Sequence, residues 1–178
     1  MMEAHTHTCT TPDGPFSIFT TTNGVLASGW TENLDELKSL IHSTLCPTVI
    51  RPDESAILSL ALDAVAAYYM GEFGLLRKVP VLQHGGTFQL SAWQALHEVQ
   101  PAQRISYTQL AERAGNPRAV RAAASACANN AVALFVPCHR VLRADGSLGG
   151  FRYGLGIKQS LLARESARED LGDHAVRS

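Results

Sequence analysis

Cysteine is scarce in this chain, which has four among its 178 residues. That number does not support the disulfide framework that holds small extracellular proteins together. The start of the chain also lacks the charged segment and apolar stretch of a secretory leader. We therefore expect a reducing, cytoplasmic location, in which a free reactive thiol persists.

A long hydrophobic run is missing as well. The most apolar stretch, residues 56–69, is shorter than the roughly 20 residues of a transmembrane helix, and Asp63 interrupts it. We expect no membrane partner, and we interpret residues 54–70 as the buried helix of an α/β N-terminal domain.

The chain as a whole has little net charge, −1, but its two parts differ. Residues 1–100 carry four Lys/Arg against ten Asp/Glu, whereas residues 101–168 carry ten against three. Clustered Lys/Arg attract phosphate and underlie most nucleic-acid affinity. The basic segment therefore favours a nucleic-acid partner, with an ordinary solvated face as the alternative.

One hairpin is predicted near the N-terminus. Asn23-Gly24 separates two apolar segments, residues 16–20 and 25–30. This pattern is typical of a tight hairpin turn with positive φ at both turn positions.

The residues before that hairpin include three potential metal ligands, His5, His7 and Cys9. Their spacing matches no standard zinc site. We expect residues 1–14 to form a loose, solvated terminus, and we predict no metal site.

Glycine and proline punctuate residues 71–86, which marks a linker. We predict an N-terminal structural domain over residues 1–84 and a C-terminal domain over residues 85–178. A helix that Thr87 caps is expected to open the second domain.

Two helices follow in the basic segment. Ser106-x-x-Gln109 is a capping box that opens the first helix, and Gly115 closes it. Asn116 is expected to cap the second helix, with Pro117 at its first position. Helices joined by so tight a turn form a helix-turn-helix, although many helical hairpins bind nothing.

The second helix consists mostly of alanine, with Arg118 and Arg121 as its long side chains. Small side chains suit close approach to the minor groove, where sequence information is degenerate. A buried alanine-rich core helix is the alternative.

Cys138 stands between Pro137 and His139 at the end of an apolar run. Thiolate is the attacking form of cysteine, and a neighbouring imidazole can accept the thiol proton. Neighbours in an extended segment point to opposite sides, so adjacency does not assure direct contact between thiol and imidazole, and a water molecule between them would serve instead. The alternative is a buried structural cysteine, whereas a nucleophile requires an ionised sulfur that is open to substrate.

The five residues Pro137-Cys138-His139-Arg140-Val141 resemble the active-site signature of the O6-alkylguanine-DNA alkyltransferases. The resemblance extends from about Phe88 to Glu165 and is weak before that. Its other landmarks are Ile105-Ser106-Tyr107, Gly115-Asn116-Pro117, Arg121, Gly149-Gly150 and Glu165.

The resemblance implies a two-part fold. Its N-terminal part is an α/β, ribonuclease-H-like domain with a small antiparallel sheet and helices. The C-terminal part is a mostly helical, winged-helix-like domain that contains the helix-turn-helix.

The implied activity is direct-reversal DNA repair. One alkyl group passes irreversibly from O6-alkylguanine, and from O4-methylthymine, to Cys138, so that each molecule acts once without metal or other cofactor. The implied partner is double-stranded DNA with alkylated bases, bound through the minor groove after the damaged base flips out. We expect the protein to be a monomer.

The resemblance also assigns roles to individual residues. The catalytic set consists of Cys138, a His139 and Glu165 relay, Asn130 as a structural tie, and Tyr107 as proton donor. The DNA-binding set is Arg121, Tyr107, Ser106, Ala119, Ala122, Arg118 and Arg152. The substrate pocket set is Phe151, Gly150, Pro137 and Val141.

Two other functions fit part of the sequence. A non-catalytic lesion sensor or helix-turn-helix regulator would use the same helices, but related lesion-binding proteins replace the cysteine. A Cys-His hydrolase unrelated to DNA would leave the alanine-rich helix unexplained.

Overall fold

A computed structural model describes residues 1–176, with the side chains of residues 1–167. Residues 177 and 178, at the end of the predicted C-terminal domain, lie outside the described residues. The strands are β1 (Glu3–Thr11), β2 (Gly14–Thr20), β3 (Val25–Gly29), β4 (Val49–Arg51), β5 (Ile105–Ser106) and β6 (Val141–Leu142). The helices are α1 (Leu34–Ser39), α2 (Ala56–Tyr69), α3 (Thr87–His97), α4 (Tyr107–Arg113), α5 (Val120–Ala128) and α6 (Leu155–Val176).

The first strand corrects one prediction, because residues 1–14 are not a loose terminus. β1 lies inside a four-stranded sheet of order β3-β2-β1-β4. It pairs antiparallel with β2 and parallel with β4, so the sheet is mixed and not purely antiparallel. Ala4 and Thr6 are buried in β1, and its alternating threonines suit the pleated backbone.

The predicted hairpin is confirmed, but its turn differs from the prediction. β2 and β3 are antiparallel, yet neither Asn23 nor Gly24 has a positive φ. Thr21 closes a longer loop by donating its N–H to the Gly24 carbonyl at 2.9 Å. A Cβ on Gly24 would lie 2.9 Å from the Pro80 carbonyl oxygen, so close packing requires this glycine.

Helix α2 covers one face of the sheet, as predicted for a buried helix. Ser55 caps its first turn by accepting a hydrogen bond from the Leu58 N–H. The buried face of α2 consists of Leu58, Ala61, Ala64, Val65 and Tyr68.

The edge strand β3 is joined to two later segments of the chain. Val25 donates its N–H to the Pro80 carbonyl, and Leu82 donates to the Val25 carbonyl, both at 2.9 Å. Further along β3, Ser28 donates its N–H to the Ala131 carbonyl at 2.9 Å and its hydroxyl to Ala133 at 2.7 Å. The segment that leads to Cys138 is therefore fixed to the N-terminal sheet.

Helix α3 is present, but Thr87 is its first residue and not its cap. Gly86 occupies the cap position and makes no side-chain cap hydrogen bond. In the loop after α3, Ala102 has φ 65°, a left-handed conformation that normally favours glycine.

The capping box at the start of α4 is confirmed. Ser106 accepts a hydrogen bond from the Gln109 N–H, and the Gln109 side chain accepts one from the Ser106 N–H. Gly115 follows the C-terminus of α4 with φ 95°, as expected for a helix-ending glycine.

The predicted start of the next helix is wrong, since α5 begins at Val120 and not at Pro117. Asn116 caps a separate turn by accepting a hydrogen bond from the Arg118 N–H at 3.1 Å. The side chain of Asn116 is thus used locally, before the helix begins.

None of the helices in the described part of the chain combines the length and apolar character needed to cross a membrane.

Candidate active site

The segment before Cys138 makes a tight reversal. Leu134 is buried and has φ 75°, a left-handed conformation that costs a leucine about 1–2 kcal/mol. Val136 donates its N–H to the Val132 carbonyl at 3.0 Å, which closes the reversal. Such a strained conformation persists where the surrounding structure enforces it. Here the reversal at Leu134 directs the chain towards Cys138.

Cys138 lies in a short 3-10 turn, Cys138–Arg140, and not in an extended segment. Arg140 donates its N–H to the Pro137 carbonyl at 3.1 Å. His139 is fully buried, whereas Cys138 is only half-buried. The turn therefore gives the two neighbouring side chains different surroundings.

Glu165 on α6 is a buried carboxylate that several donors share. His139 Nε2 lies 2.8 Å from Glu165 Oε1. Arg140 donates its Nε to Glu165 Oε2 at 3.0 Å and its Nη2 to Oε1 at 2.9 Å. Burial raises the pKa of Glu165, but His139 and Arg140 outweigh burial and hold it well below its usual range. Glu165 is therefore ionised.

An ionised carboxylate only accepts hydrogen bonds, so His139 Nε2 must carry a proton. Burial lowers the pKa of His139, although Glu165 opposes this effect. The imidazole is therefore neutral near pH 7, which leaves Nδ1 unprotonated. Within the described residues, His139 Nδ1 is buried and has no hydrogen-bond partner. This nitrogen is available to accept a proton.

Cys138 opens into a cavity of about 590 Å³. This cavity meets the requirement that the sulfur be accessible. The expectation of an ionised sulfur needs correction, because burial raises the pKa of the thiol in spite of Asn130 and Lys158. Cys138 therefore rests as a thiol, and its proton must leave during the reaction.

Asn130 ties together the segments around the nucleophile. Its amide nitrogen Nδ2 donates to the Val136 carbonyl at 2.8 Å. Its oxygen Oδ1 accepts from the Val132 N–H at 3.1 Å and from Gln83 Nε2 at 3.2 Å. The side chain thereby holds the reversal that precedes Cys138.

Seven residues to which the sequence analysis assigned a role line this cavity. They are Cys138, Tyr107, Arg121, Asn130, Gly150, Phe151 and Arg152. His139 and Glu165 lie behind Cys138, within the protein.

Two of the four residues expected in the substrate pocket lie elsewhere. Pro137 lines a separate cavity, together with Phe73 and Arg140. Val141 is buried in β6, which pairs with β5, and it does not line the cavity. The 3-10 turn accounts for both positions, because it directs Cys138 alone to the cavity.

The remaining expected DNA contacts lie at the N-cap of α4, on α5 and in the turn between the two helices. Ser106 serves as the cap of α4. Arg118 and Ala122 are exposed, and Ala119 is half-buried. Their neighbour Arg121 lines the cavity.

The cavity wall after the nucleophile is fixed to both halves of the chain. Arg152 donates to the Ala128 carbonyl at the end of α5 at 2.6 Å. Tyr153 donates to the Ser28 carbonyl at 3.4 Å. A Cβ on Gly29 would lie 1.9 Å from the Tyr153 hydroxyl, so this contact requires glycine. The segment is not a free loop.

Tyr107 also lines the cavity, next to Gly149 in the cavity wall that follows the nucleophile. Its hydroxyl would lie 2.9 Å from a Cβ on Gly149, a position with φ 70°. Burial raises the pKa of Tyr107, so the phenol stays protonated near neutral pH.

Lys158 is a site residue that sequence reasoning missed. It is fully buried, and its Nζ donates to the carbonyls of Val141 at 2.7 Å, of Gly150 at 3.4 Å, and of Leu148. A signal was present in the sequence, since Lys158, Leu161, Leu162 and Glu165 share one face of α6 by their spacing. Charged residues on an apolar helix face indicate buried partners.

The described residues contain no group of three or more His, Cys, Asp or Glu side chains that could hold a metal ion. His5 instead lies with its Nδ1 3.1 Å from Asp53 Oδ1.

Replacing Lys158 tests its role as the anchor of the cavity wall. Lys158→Met removes the donor from the buried Val141 carbonyl and from the part-buried carbonyls of Leu148 and Gly150, so we expect the free energy of unfolding to fall by about 3 kcal/mol. Urea denaturation measures this change. The exposed Lys78 provides the control, because Lys78→Met should change stability by less than about 0.5 kcal/mol. Equal losses in the two variants would contradict the anchoring role.

Comparison with known proteins bears on what such a site does. The sequence profile described as "6-O-methylguanine DNA methyltransferase, DNA binding domain" matches residues 87–167. The chain is 48% identical over 92 residues to the "Bifunctional transcriptional activator/DNA repair enzyme Ada" of Escherichia coli, over 52% of the chain and 26% of that protein. It is 36% identical over 115 residues to the "Methylated-DNA--protein-cysteine methyltransferase" of Haemophilus influenzae, over 65% of the chain and 64% of that protein. The chain thus spans less than two thirds of these curated relatives.

Solved structures are similar over most of the chain. "Mycobacterium tuberculosis OGT in complex with DNA" is 31% identical with a TM-score of 0.76, over 92% of this chain and 94% of that one. The O6-methylguanine-DNA methyltransferase of Pyrococcus kodakaraensis, at 18% identity and a TM-score of 0.59, shares the fold over 93% of this chain and 99% of that one. The small mixed sheet with several helices is thus the alkyltransferase fold. The chain belongs to the O6-alkylguanine-DNA alkyltransferase family, as the residues around Cys138 indicate.

Proposed function

We propose that the protein is a single-turnover DNA repair alkyltransferase, which moves the alkyl group of O6-alkylguanine, and of O4-methylthymine, to Cys138. The observation that carries this proposal is a thiol open to a cavity and backed by a buried His–Glu pair. The cavity of about 590 Å³ is large enough for a flipped nucleobase.

The proposed reaction begins with proton removal from Cys138. A water molecule carries the thiol proton to His139 Nδ1, and Glu165 stabilises the imidazolium that forms. The sulfur attacks the alkyl carbon, a carbon–sulfur bond forms, and the bond between carbon and the guanine oxygen breaks.

Proton transfer to the base completes the step. Tyr107 donates its phenolic proton to the departing guanine, and the proton that His139 took from Cys138 then passes through water to the Tyr107 oxygen, so that both side chains are neutral again. Burial raises the pKa of Tyr107, so the phenol carries its proton before the reaction, and the negative charge that develops on the guanine draws that proton. The product is a thioether, which water does not hydrolyse, so each molecule acts once.

DNA binding is assigned to α4 and α5 acting as a helix-turn-helix. The exposed face of α5 offers Ala122 and Arg121, and small side chains favour the minor groove. Arg121 lines the mouth of the cavity, a position from which its side chain replaces the flipped nucleotide in the stack. Arg118, Ala119 and Ser106 then lie along the DNA backbone.

Arg152 is assigned a second role as a phosphate contact. Its guanidinium already binds the Ala128 carbonyl, and it is exposed at the cavity wall. Phe151, which precedes Arg152 and lines the cavity, is assigned to stack on the flipped base.

The finer features of the fold belong to the same proposal. A meander of β3, β2 and β1 with β4 added in parallel supports a ribonuclease-H-like N-terminal domain over residues 1–84. Helices α4 and α5 with the short β5–β6 sheet support a winged-helix-like domain over residues 85–178. We assign the protein to the cytoplasm as a monomer.

A lesion sensor or regulator without transfer activity is the alternative. It would need the same helices but no reactive sulfur. The accessible thiol of Cys138 and the buried pair behind it favour transfer.

Intact-mass analysis tests the transfer to Cys138. Incubation with a duplex that contains O6-methylguanine should add one methyl group per molecule, because the thioether is stable. Peptide mapping should locate the group on Cys138, and Cys138→Ser should abolish it. An unchanged mass, or a methyl group on another residue, would refute the proposed function.

The variant Arg121→Ala tests base flipping. It should slow repair of duplex DNA by about tenfold or more, since unstacking costs a few kcal/mol that the arginine offsets. Reaction with the free base O6-benzylguanine should keep its rate, because no flipping is needed. The exposed Arg113 gives the matched control, Arg113→Ala. Equal losses on duplex and free base would contradict the role of Arg121.

A further inference from the structure

Tyr68 connects the N-terminal half of the chain to the Glu165 carboxylate. It lies on α2 and is fully buried. Its hydroxyl donates to Glu165 Oε1 at 3.0 Å. The same oxygen lies 2.8 Å from His139 Nε2 and 2.9 Å from Arg140 Nη2. One oxygen atom therefore serves both the proposed base and a residue of the predicted structural domain.

Packing does not account for this hydroxyl. The Tyr68 ring lies 5.3 Å from the Tyr69 ring and 5.0 Å from the Phe73 ring, measured between centroids. Phenylalanine would make the same ring contacts. A buried hydroxyl without a partner costs free energy, so the hydroxyl is explained only by its bond to the carboxylate.

The bond keeps the same form across the working pH range. Burial, followed by the charge of Glu165, raises the pKa of Tyr68 far above its ordinary value. The phenol therefore remains a neutral donor. Since Glu165 is ionised, the carboxylate remains the acceptor.

A donor bound to a carboxylate oxygen reduces the basicity of that oxygen. Glu165 Oε1 consequently stabilises the imidazolium form of His139 less than it would without Tyr68. An imidazole that is already protonated cannot accept the thiol proton of Cys138. The phenol thus acts on the proton acceptor through the carboxylate.

We propose that Tyr68 is a positioning residue for alkyl transfer, which keeps His139 neutral by sharing Glu165 Oε1. This inference rests on the proposed function, since it assigns a role in the same reaction. Tyr68 forms no covalent bond and transfers no proton. The N-terminal half thereby sets the pH range in which Cys138 reacts.

The variant Tyr68→Phe tests the proposal through a pH profile. The rate of Cys138 methylation by an O6-methylguanine duplex is measured between pH 5 and pH 9. Without the phenol, His139 binds its proton more tightly, so the acid limb should move up by about one pH unit. Rates on the limb then fall about tenfold, while the high-pH plateau is unchanged.

Tyr69→Phe is the matched control. The neighbouring hydroxyl accepts from Trp30 Nε1 at 3.0 Å and donates to Asp13 Oδ2 at 2.9 Å, and it does not bind Glu165. Its loss should leave the acid limb in place. Coinciding limbs for Tyr68→Phe and the unaltered protein, or equal shifts in both variants, would overturn the proposal.

A second variant covers the case in which Tyr68→Phe does not fold. Site-specific 3-fluorotyrosine at position 68 keeps the ring and strengthens the donor, so the acid limb should move to lower pH. An unchanged limb, or a move to higher pH, would overturn the proposal.

A chemical probe separates this inference from the proposed function. Iodoacetamide alkylates a cysteine without DNA, and peptide mapping gives its rate at Cys138. A limb shift with iodoacetamide in Tyr68→Phe supports the inference even if the unaltered protein takes no methyl from DNA. If the protein takes the methyl group from DNA but the acid limbs of Tyr68→Phe and the unaltered protein coincide, the proposed function stands and the role of Tyr68 is overturned.

Discussion

The buried carboxylate of Glu165 is the constraint on which the site depends. A charge without solvent persists only when donors surround it, and here they come from distant parts of the chain. His139 and Arg140 approach from the 3-10 turn, and Tyr68 approaches from α2. The N–H of Ala102 adds a fourth donor at 3.3 Å. These bonds hold the imidazole in one tautomer and fix the turn that presents Cys138.

Both halves of the chain help to position the nucleophile Cys138. Ser28 on β3 binds both Ala131 and Ala133, which precede Cys138. Tyr153 returns from the cavity wall to the Ser28 carbonyl. The N-terminal half is therefore more than the structural domain expected from its sequence, because it contacts the segment before Cys138, the cavity wall and the Glu165 carboxylate.

Local chemistry was predictable from the sequence, whereas long-range partners were not, apart from Glu165 as the partner of His139, which the family resemblance supplied. The Ser106–Gln109 capping box needs only residues close in the chain, so the start of α4 was predicted correctly. The polar alternation of β1 concealed a strand, because threonine satisfies strand geometry without apolar character. Tyr68 and Glu165 are 97 positions apart, and no local pattern links two residues at that separation.

The protonation state of His139 tests this arrangement most directly. Nitrogen-15 NMR of histidine-labelled protein at pH 7, with His139→Gln for assignment, distinguishes the two ring nitrogens. The ionised carboxylate of Glu165 requires a proton on Nε2, and burial lowers the pKa of the ring. A neutral imidazole with an unprotonated Nδ1 is the expected result. An imidazolium at pH 7, or a neutral ring with its proton on Nδ1, would contradict it.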